Sequence, residues 1–348
     1  MNISAHLVLG LVVLGLAVTA PPAKAQSFIR TIGSSGHGDG QLSRPFGVAV
    51  DTANGSNVLV ADTDNSRVEV FSATGTFIRT IGSFGSGDGQ LSGPEGVAVD
   101  TANGSNVIVA DTGNDRVEVF SATGTFIRTI GSDGNGDGQL DFPQGVAVET
   151  ANGGNVIVAD SDNNRVEVFS ATGTFIRTIG AGQLSLPFSV AVDTANGSNV
   201  LVADTDNSRI EVFSATGTFI RTIGSGGSGD GQFHDPSGVA VDTANGSNVL
   251  VADSDNNRVE VFSATGTFIR TIGSGGSGNG QLDHPAGVAV DTANGSNMVV
   301  ADTFNNRVEV FTSGNPLAPV PALGIWGLLL SALLLAGIGY HATRRSAA

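Results

Sequence analysis

Residues 45–81 read PFGVAVDTANGSNVLVADTDNSRVEVFSATGTFIRTI. Four runs in this stretch, Gly47–Asp51, Val58–Ala61, Arg67–Phe71 and Phe77–Ile81, are rich in β-branched and aromatic residues and bounded by turn residues. That composition predicts four short strands. The second run is apolar throughout, as expected of a strand covered on both faces. Asn54-Gly55 is a hairpin signal, and Gly75 suits the positive-φ position of the three-residue loop Ala73–Gly75. The stretch then recurs. Val-Ala-Asp places its aspartate at Asp62, Asp111, Asp160, Asp204, Asp253 and Asp302, at spacings of 49, 49, 44, 49 and 49. A period in the forties points to propeller blades or similar arrays. The short interval arises in one loop, where Gly180–Leu184 stands for the longer Gly131–Leu140, so the strands are untouched. The chain is expected to be all-β, with six repeats of four strands.

Ring closure is also readable. The sixth repeat supplies Gly287–Asp291, Asn297–Ala301 and Arg307–Phe311 and then lacks a fourth strand, while an unused copy, Phe28–Ile32, stands at the other end. Pairing of that strand with Arg307–Phe311 would join the ends of the ring and remove an open edge.

The pattern Pro45-Phe46-Gly47-Val48-Ala49-Val50-Asp51, then Val60-Ala61-Asp62-Thr63-x-Asn65-x-Arg67-Val68-x-Val70-Phe71, then Gly75-x-Phe77 and Gly87-Asp88-Gly89-Gln90, resembles NHL repeats. The resemblance holds in register over roughly residues 27–311 and implies a six-bladed propeller. Some related propellers are metal-dependent lyases or lactonases, and some bind RNA through a basic face.

The two ends read differently from the repeats. Residues 1–25 form a signal peptide, expected as a helix, with an apolar stretch from Leu7 to Ala20 and a small-residue site Ala23-Lys24-Ala25. The propeller follows at 26–312, then a linker at 313–321. Residues 322–340 carry no charge over 19 positions, close to the ~20 needed for a transmembrane helix. Arg344 and Arg345 lie in the tail 341–348 and place that end in the cytoplasm. Val320-Pro321-Ala322-Leu323-Gly324-Ile325-Trp326-Gly327 resembles the IPTL-CTERM sorting signals, relatives of PEP-CTERM tails. That resemblance implies export to a periplasmic or cell-surface site in a Gram-negative envelope. It also implies anchoring in the membrane or processing by an exosortase-type protease.

Charge and composition exclude several functions. Cysteine is absent, which removes disulfides, thiolate zinc sites and a cysteine nucleophile. Residues 27–311 hold 13 Arg against 32 acids, a net −19. The hairpin register predicts that Glu69 pairs with Arg79 across the strands, and likewise Glu118–Arg128, Glu167–Arg177, Glu211–Arg221, Glu260–Arg270 and Glu309–Arg30. Six more arginines, beginning with Arg67, are expected to tie the preceding turn to the aspartate of Val-Ala-Asp. Only Arg44 is left over, too little cation to neutralise phosphates, so nucleic acid is not an expected partner. Trp326 and Tyr340, the sole Trp and Tyr, lie outside the repeats, so a sugar-stacking platform is missing.

In an antiparallel blade, the connections from fourth to first strand and from second to third share one end. Differences between the repeats concentrate there, so this variable loop face is the candidate for binding a protein or a small ligand. The residue after each proline should ring the channel mouth: Phe46, Glu95, Gln144, Phe188, Ser237 and Ala286. Phe84 and Phe304 add exposed aromatics to the same end. Metal candidates are weaker. His37, His234 and His284 stand eight, two and one residues before their prolines, which argues against one shared zinc. Asp39, Asp88, Asp137 and Asp230 recur in Gly-Asp-Gly or related loops facing Asp64, Asp162, Asp206 and Asp255, and such oxygen-rich loops suit Ca²⁺. Catalytic triad and paired-carboxylate spacings are not found. The expected function is a non-enzymatic binding or scaffold module needing no cofactor. The alternative is a metal-dependent propeller enzyme of lyase or lactonase type, which His234, His284 and an acid gathered within a few ångströms would favour. A purely structural surface-layer role is the third reading.

Overall fold

A computed structural model describes residues 27–313 of the chain. The expected signal segment, the sorting motif and the apolar C-terminal segment lie outside the described residues. Among the described residues, no helix is long and apolar enough to cross a membrane.

Six four-stranded antiparallel sheets form the blades of a propeller. In blade 1 the strands are Pro45–Asp51, Asn57–Asp62, Arg67–Phe71 and Phe77–Ile81, paired in sequence order. Blades 2 to 5 repeat this order, with first strands Val97–Asp100, Pro143–Glu149, Pro187–Asp193 and Pro236–Asp242. Blade 6 takes Pro285–Asp291, Asn297–Asp302 and Arg307–Phe311 from one end of the repeats and Phe28–Ile32 from the other. Arg30 faces Val310 and Ile32 faces Val308, and Thr312 N donates to Ser27 O at 3.0 Å, so the ring closes as the missing strand predicts.

The second strands are the core. Val58 and Val60 pack toward blade 6 with Val299 and Ala301, while Leu59 and Ala61 of the same strand pack toward blade 2 with Val107 and Val109. Period-two alternation thus sends successive side chains to opposite neighbours. Burying each such Val or Leu contributes about 1.5–3 kcal/mol, which is why a run without polar residues can sit in a blade. Between first and second strands the Asp51 carboxylate accepts from Ala53 N and Asn54 N, both at 3.2 Å, and Gly55 closes the turn at φ 73°.

One sequence expectation is overturned. Ser72 N does donate to Thr76 O at 2.8 Å, and Phe71 faces Phe77, but Val70 then faces Arg79 and Glu69 faces Thr80. Ile78 is the extra residue of a bulge; it turns to solvent and shifts the strand by one position. The six predicted Glu–Arg cross-strand pairs therefore do not form. Glu69 instead joins Arg67 on its own strand, at 3.0 Å, and accepts from Thr80 Oγ1 at 3.1 Å. Arg79 reaches the neighbouring blade, where its Nη2 donates to Ala122 O; Arg128 does the same to Ala171 O at 2.5 Å. The predicted tie of the other arginines stands: Arg67 Nε donates to Asp62 Oδ2 at 2.8 Å, and the fully buried Asp62 also accepts from Ser43 N at 2.6 Å and Asn65 Nδ2 at 2.8 Å.

Candidate functional site

The first strands line the central channel and approach one another to backbone contact. A Cβ built on Gly47 would lie 2.3 Å from Glu95 O, and one on Gly238 would lie 2.2 Å from Ala286 O. Only glycine permits that spacing. The proline carbonyls just before the mouth are held as well. Thr63 Oγ1 donates to Pro94 O at 2.8 Å, Thr112 Oγ1 to Pro143 O at 2.8 Å, Ser161 Oγ to Pro187 O at 2.7 Å and Thr205 Oγ1 to Pro236 O at 2.8 Å. Ser254 Oγ donates to Pro285 O at 2.6 Å, and Thr303 Oγ1 to Pro45 O at 2.8 Å. Each mouth residue therefore follows a backbone group pinned by the neighbouring blade. The mouth is thereby held by contacts between neighbouring blades.

All six residues that follow the prolines line one cavity at the channel mouth, of about 120 Å³. Phe46 of blade 1 and Phe188 of blade 4 come from opposite blades, and their rings stack at 5.9 Å and 17°. Glu95 and Gln144 come from adjacent blades, and Gln144 Nε2 donates to Glu95 Oε2 at 2.9 Å. Burial drives the Glu95 carboxyl up to about 7, against the opposing pulls of the Gln144 hydrogen bond and the Arg44 charge. Gln144 is 6% exposed, and among the described residues its Oε1 has no hydrogen-bond partner. A buried acceptor left unmatched costs about 1–3 kcal/mol. Ser237 Oγ is satisfied by Ser254 Oγ, and Ala286 adds apolar wall.

The remaining candidates fall around this mouth or away from it. Arg44, among the described residues the one arginine outside the lattice, lies 5.7 Å from the Phe46 ring centre and 5.9 Å from that of Phe304. Phe304 stacks on His284 at 4.3 Å. A continuous band of aromatic and charged groups thus leads from the mouth over blades 1 and 6. Phe84 stands apart, 76% exposed and outside the cavity lining.

Two of the three histidines approach one carboxylate, though not as ligands of a shared metal. His234 Nε2 lies 3.5 Å and His284 Nε2 3.6 Å from the Asp255 carboxylate, and His284 Nδ1 meets Asp283 Oδ1 at 2.8 Å. The residues before the prolines of blades 5 and 6, Asp235 and His284, adopt φ of 58° and 49°. The residue before the proline is left-handed in all six blades, as at Arg44, Phe142 and Leu186, so this turn does not set blades 5 and 6 apart. Asp235 adds a carboxyl raised by burial and then by the Asp255 charge. Both imidazoles address one carboxylate rather than a common vacant point. Among the described residues, no group of three or more His, Asp or Glu is placed to hold a metal ion. His37 is elsewhere, with Nδ1 2.5 Å from Asn65 Oδ1. Asp39, Asp88, Asp137 and Asp230 are exposed at loop tips.

Residues 140–169 and 233–262 match the NHL repeat. Each match runs from the buried Leu140 or Phe233 before a first strand to the phenylalanine ending a third strand. These repeats and the six closed blades support an NHL propeller. A stretch of 51 residues is 45% identical to the protein lin-41 of Caenorhabditis elegans, covering 15% of this chain and 4% of that protein. The chain thus spans a small fraction of that relative's length. Among solved structures, an auxiliary nutrient binding protein from Bacteroides thetaiotaomicron is similar at a TM-score of 0.62, with 12% identity over 82% of this chain and 76% of that one. A gluconolactonase from Xanthomonas campestris is similar at a TM-score of 0.60, with 14% identity over 83% of this chain and 99% of that one. Identities this low bear on the fold alone.

Proposed function

We propose that the propeller is a binding module whose channel mouth takes a group with a flat apolar part and an N–H donor, from a small ligand or a protein side chain. The observation that carries this is the unpartnered, buried Gln144 Oε1 in a cavity also lined by the stacked Phe46 and Phe188. The phenylalanines offer the apolar contact, and Gln144 Oε1 with Glu95 offers two acceptors for donated protons. A cavity of about 120 Å³ is smaller than the ~300–1,000 Å³ of sites that bury a whole drug-sized ligand. It suits the tip of a larger partner. The net charge of −16 favours cationic tips over anionic ones. In this reading the module is exported and held at the envelope by its apolar C-terminal segment, which an exosortase-type protease would process.

A thermal-shift panel of aromatic amines and amides tests the reading. A ligand at a hundred times its Kd stabilises by about 2.7 kcal/mol. Phe46→Ala should abolish that gain. Stabilisation by none of the panel, or the same gain in Phe46→Ala, would count against the mouth as the site.

The convergence of His234, His284 and Asp255 favours a second reading, a propeller enzyme of lyase or lactonase type. An imidazole beside a carboxylate can move a proton. Hydrolysis of a panel of lactones, lost in Asp255→Asn, would support it. Absence of turnover with or without added Mg²⁺, Ca²⁺ or Zn²⁺ would remove it.

A further inference from the structure

The shortened loop before blade 4 leaves a socket that the other five blades fill. Gly33–Leu42, Gly82–Leu91, Gly131–Leu140, Gly224–Phe233 and Gly273–Leu282 each run ten residues, whereas Gly180–Leu184 runs five. In the five long loops, a glycine N–H donates to the third-strand glutamate. Gly40 reaches Glu69 at 3.1 Å, Gly89 reaches Glu118 at 3.0 Å, Gly138 reaches Glu167 at 2.8 Å, Gly231 reaches Glu260 at 3.1 Å and Gly280 reaches Glu309 at 2.7 Å. Loop carbonyls accept from the third-strand arginine: Arg116 donates to Ser86 O at 2.9 Å, Gly87 O at 2.8 Å and Gln90 O at 2.9 Å. The same glycine lies against the fourth-strand phenylalanine, so tightly that a Cβ on Gly40 would come within 3.2 Å of Phe77 Cβ.

Blade 4 has lost these partners. Glu211 is 3% exposed, yet among the described residues its Oε2 has no hydrogen-bond partner. Arg209 keeps Asp204 and Glu211 but, among the described residues, a single loop carbonyl, Gln183 O at 3.2 Å. Its side chain is 33% exposed, against 11–14% for its five equivalents. Phe219 is 47% exposed, while its counterparts are half-buried. Arg209, Glu211, Phe219 and Thr222 line an open recess with Gly182 and Gln183, and none of them lines the channel mouth.

We propose that this recess receives a glycine-rich backbone segment of another polypeptide chain. Such a segment supplies the N–H for Glu211, carbonyls for Arg209 and a side-chain-free surface for Phe219, as the long loops do in cis. Glycine is favoured because this position has φ of 72–77° in all five long loops, and in blades 1 to 3 a Cβ would lie 3.2 Å from the phenylalanine Cβ.

The test is fluorescence anisotropy of a labelled peptide with the sequence of residues 224–233, titrated with the full-length chain in mild detergent. Saturable binding is expected. A variant in which Gly180–Leu184 is replaced by the sequence of Gly131–Leu140 should bind at least tenfold more weakly, because the loop then occupies its own socket. The same peptide with every glycine replaced by alanine should also bind at least tenfold more weakly. Phe219→Asp, at an exposed position, provides a second loss-of-binding variant should the loop graft misfold. No saturable binding at millimolar chain, or undiminished binding by the graft, which would place the peptide elsewhere, overturns the proposal.

Discussion

Glu95→Gln is a perturbation whose sign is opposite to that of most surface carboxylates. Burial raises the folded-state value from 4.5 to about 7, so between those limits the folded chain keeps a proton that the unfolded chain has released. The stability contributed by this proton is fully present below about pH 4.5 and is lost as pH rises through about 7. At ~1.36 kcal/mol per unit, the full difference is about 3 kcal/mol, and contact with solvent at the mouth reduces it to roughly 1–2 kcal/mol. Glutamine keeps an acceptor for Gln144 Nε2 and cannot ionise. The variant should match the wild type near pH 4.5 and exceed it by a few degrees in Tm at pH 8. Glu118 and Glu260, also raised to about 7, give both proteins a common pH slope that cancels in the difference. Melting curves of the two proteins from pH 4.5 to 8.5 measure this. A difference that does not grow with pH, or a variant less stable at pH 8, would refute the placement of Glu95 as a half-buried carboxyl at the mouth.

Three further outcomes follow from the same structure. Arg165→Ala leaves the buried carboxylates Asp160 and Glu167, now 2.7 and 3.2 Å from the guanidinium, without their cation, and should cost about 3–5 kcal/mol in chemical denaturation. Deleting Ser27–Ile32 opens the third strand of blade 6 and removes the buried Ile32 side chain; light scattering should show association and melting should move down, and a monomer of unchanged Tm would contradict closure by that strand. Ile78→Thr, at the bulged position that points to solvent, should change stability by less than about 0.5 kcal/mol; a cost above ~2 kcal/mol would place that side chain in the core.

What was legible in the sequence divides along a physical line. Strand positions, the closing strand and the ring of residues after the prolines depend on period and phase, which a sixfold repeat displays openly. The Glu–Arg pairing failed because Ile78 adds one residue after a correctly placed hairpin, and Phe-Ile-Arg gives no cue that separates a bulge from regular alternation. The approach of His234 and His284 to one carboxylate was hidden because Asp255 lies in the turn between the second and third strands of blade 5, a contact that exists only once neighbouring blades set the distance. Glu95 and Gln144 were named as mouth residues, but their hydrogen bond and the unmatched Gln144 oxygen exist only once adjacent blades set the distance. The five-residue deletion before blade 4 was plain in the spacing. Its consequence for Glu211 needed the glycine N–H contacts of the other blades.

The most direct test of the channel mouth as a binding site is a ¹H–¹⁵N NMR titration with benzylamine at pH 8. Its ring matches the Phe46–Phe188 pair, and its ammonium matches Glu95 and Gln144 Oε1. The account predicts saturable shifts at the backbone amides of Phe46, Glu95, Gln144 and Phe188, and their loss in a Phe46→Ala, Phe188→Ala double variant. Shifts confined to other surfaces, or shifts at the mouth that persist in the double variant, would contradict it.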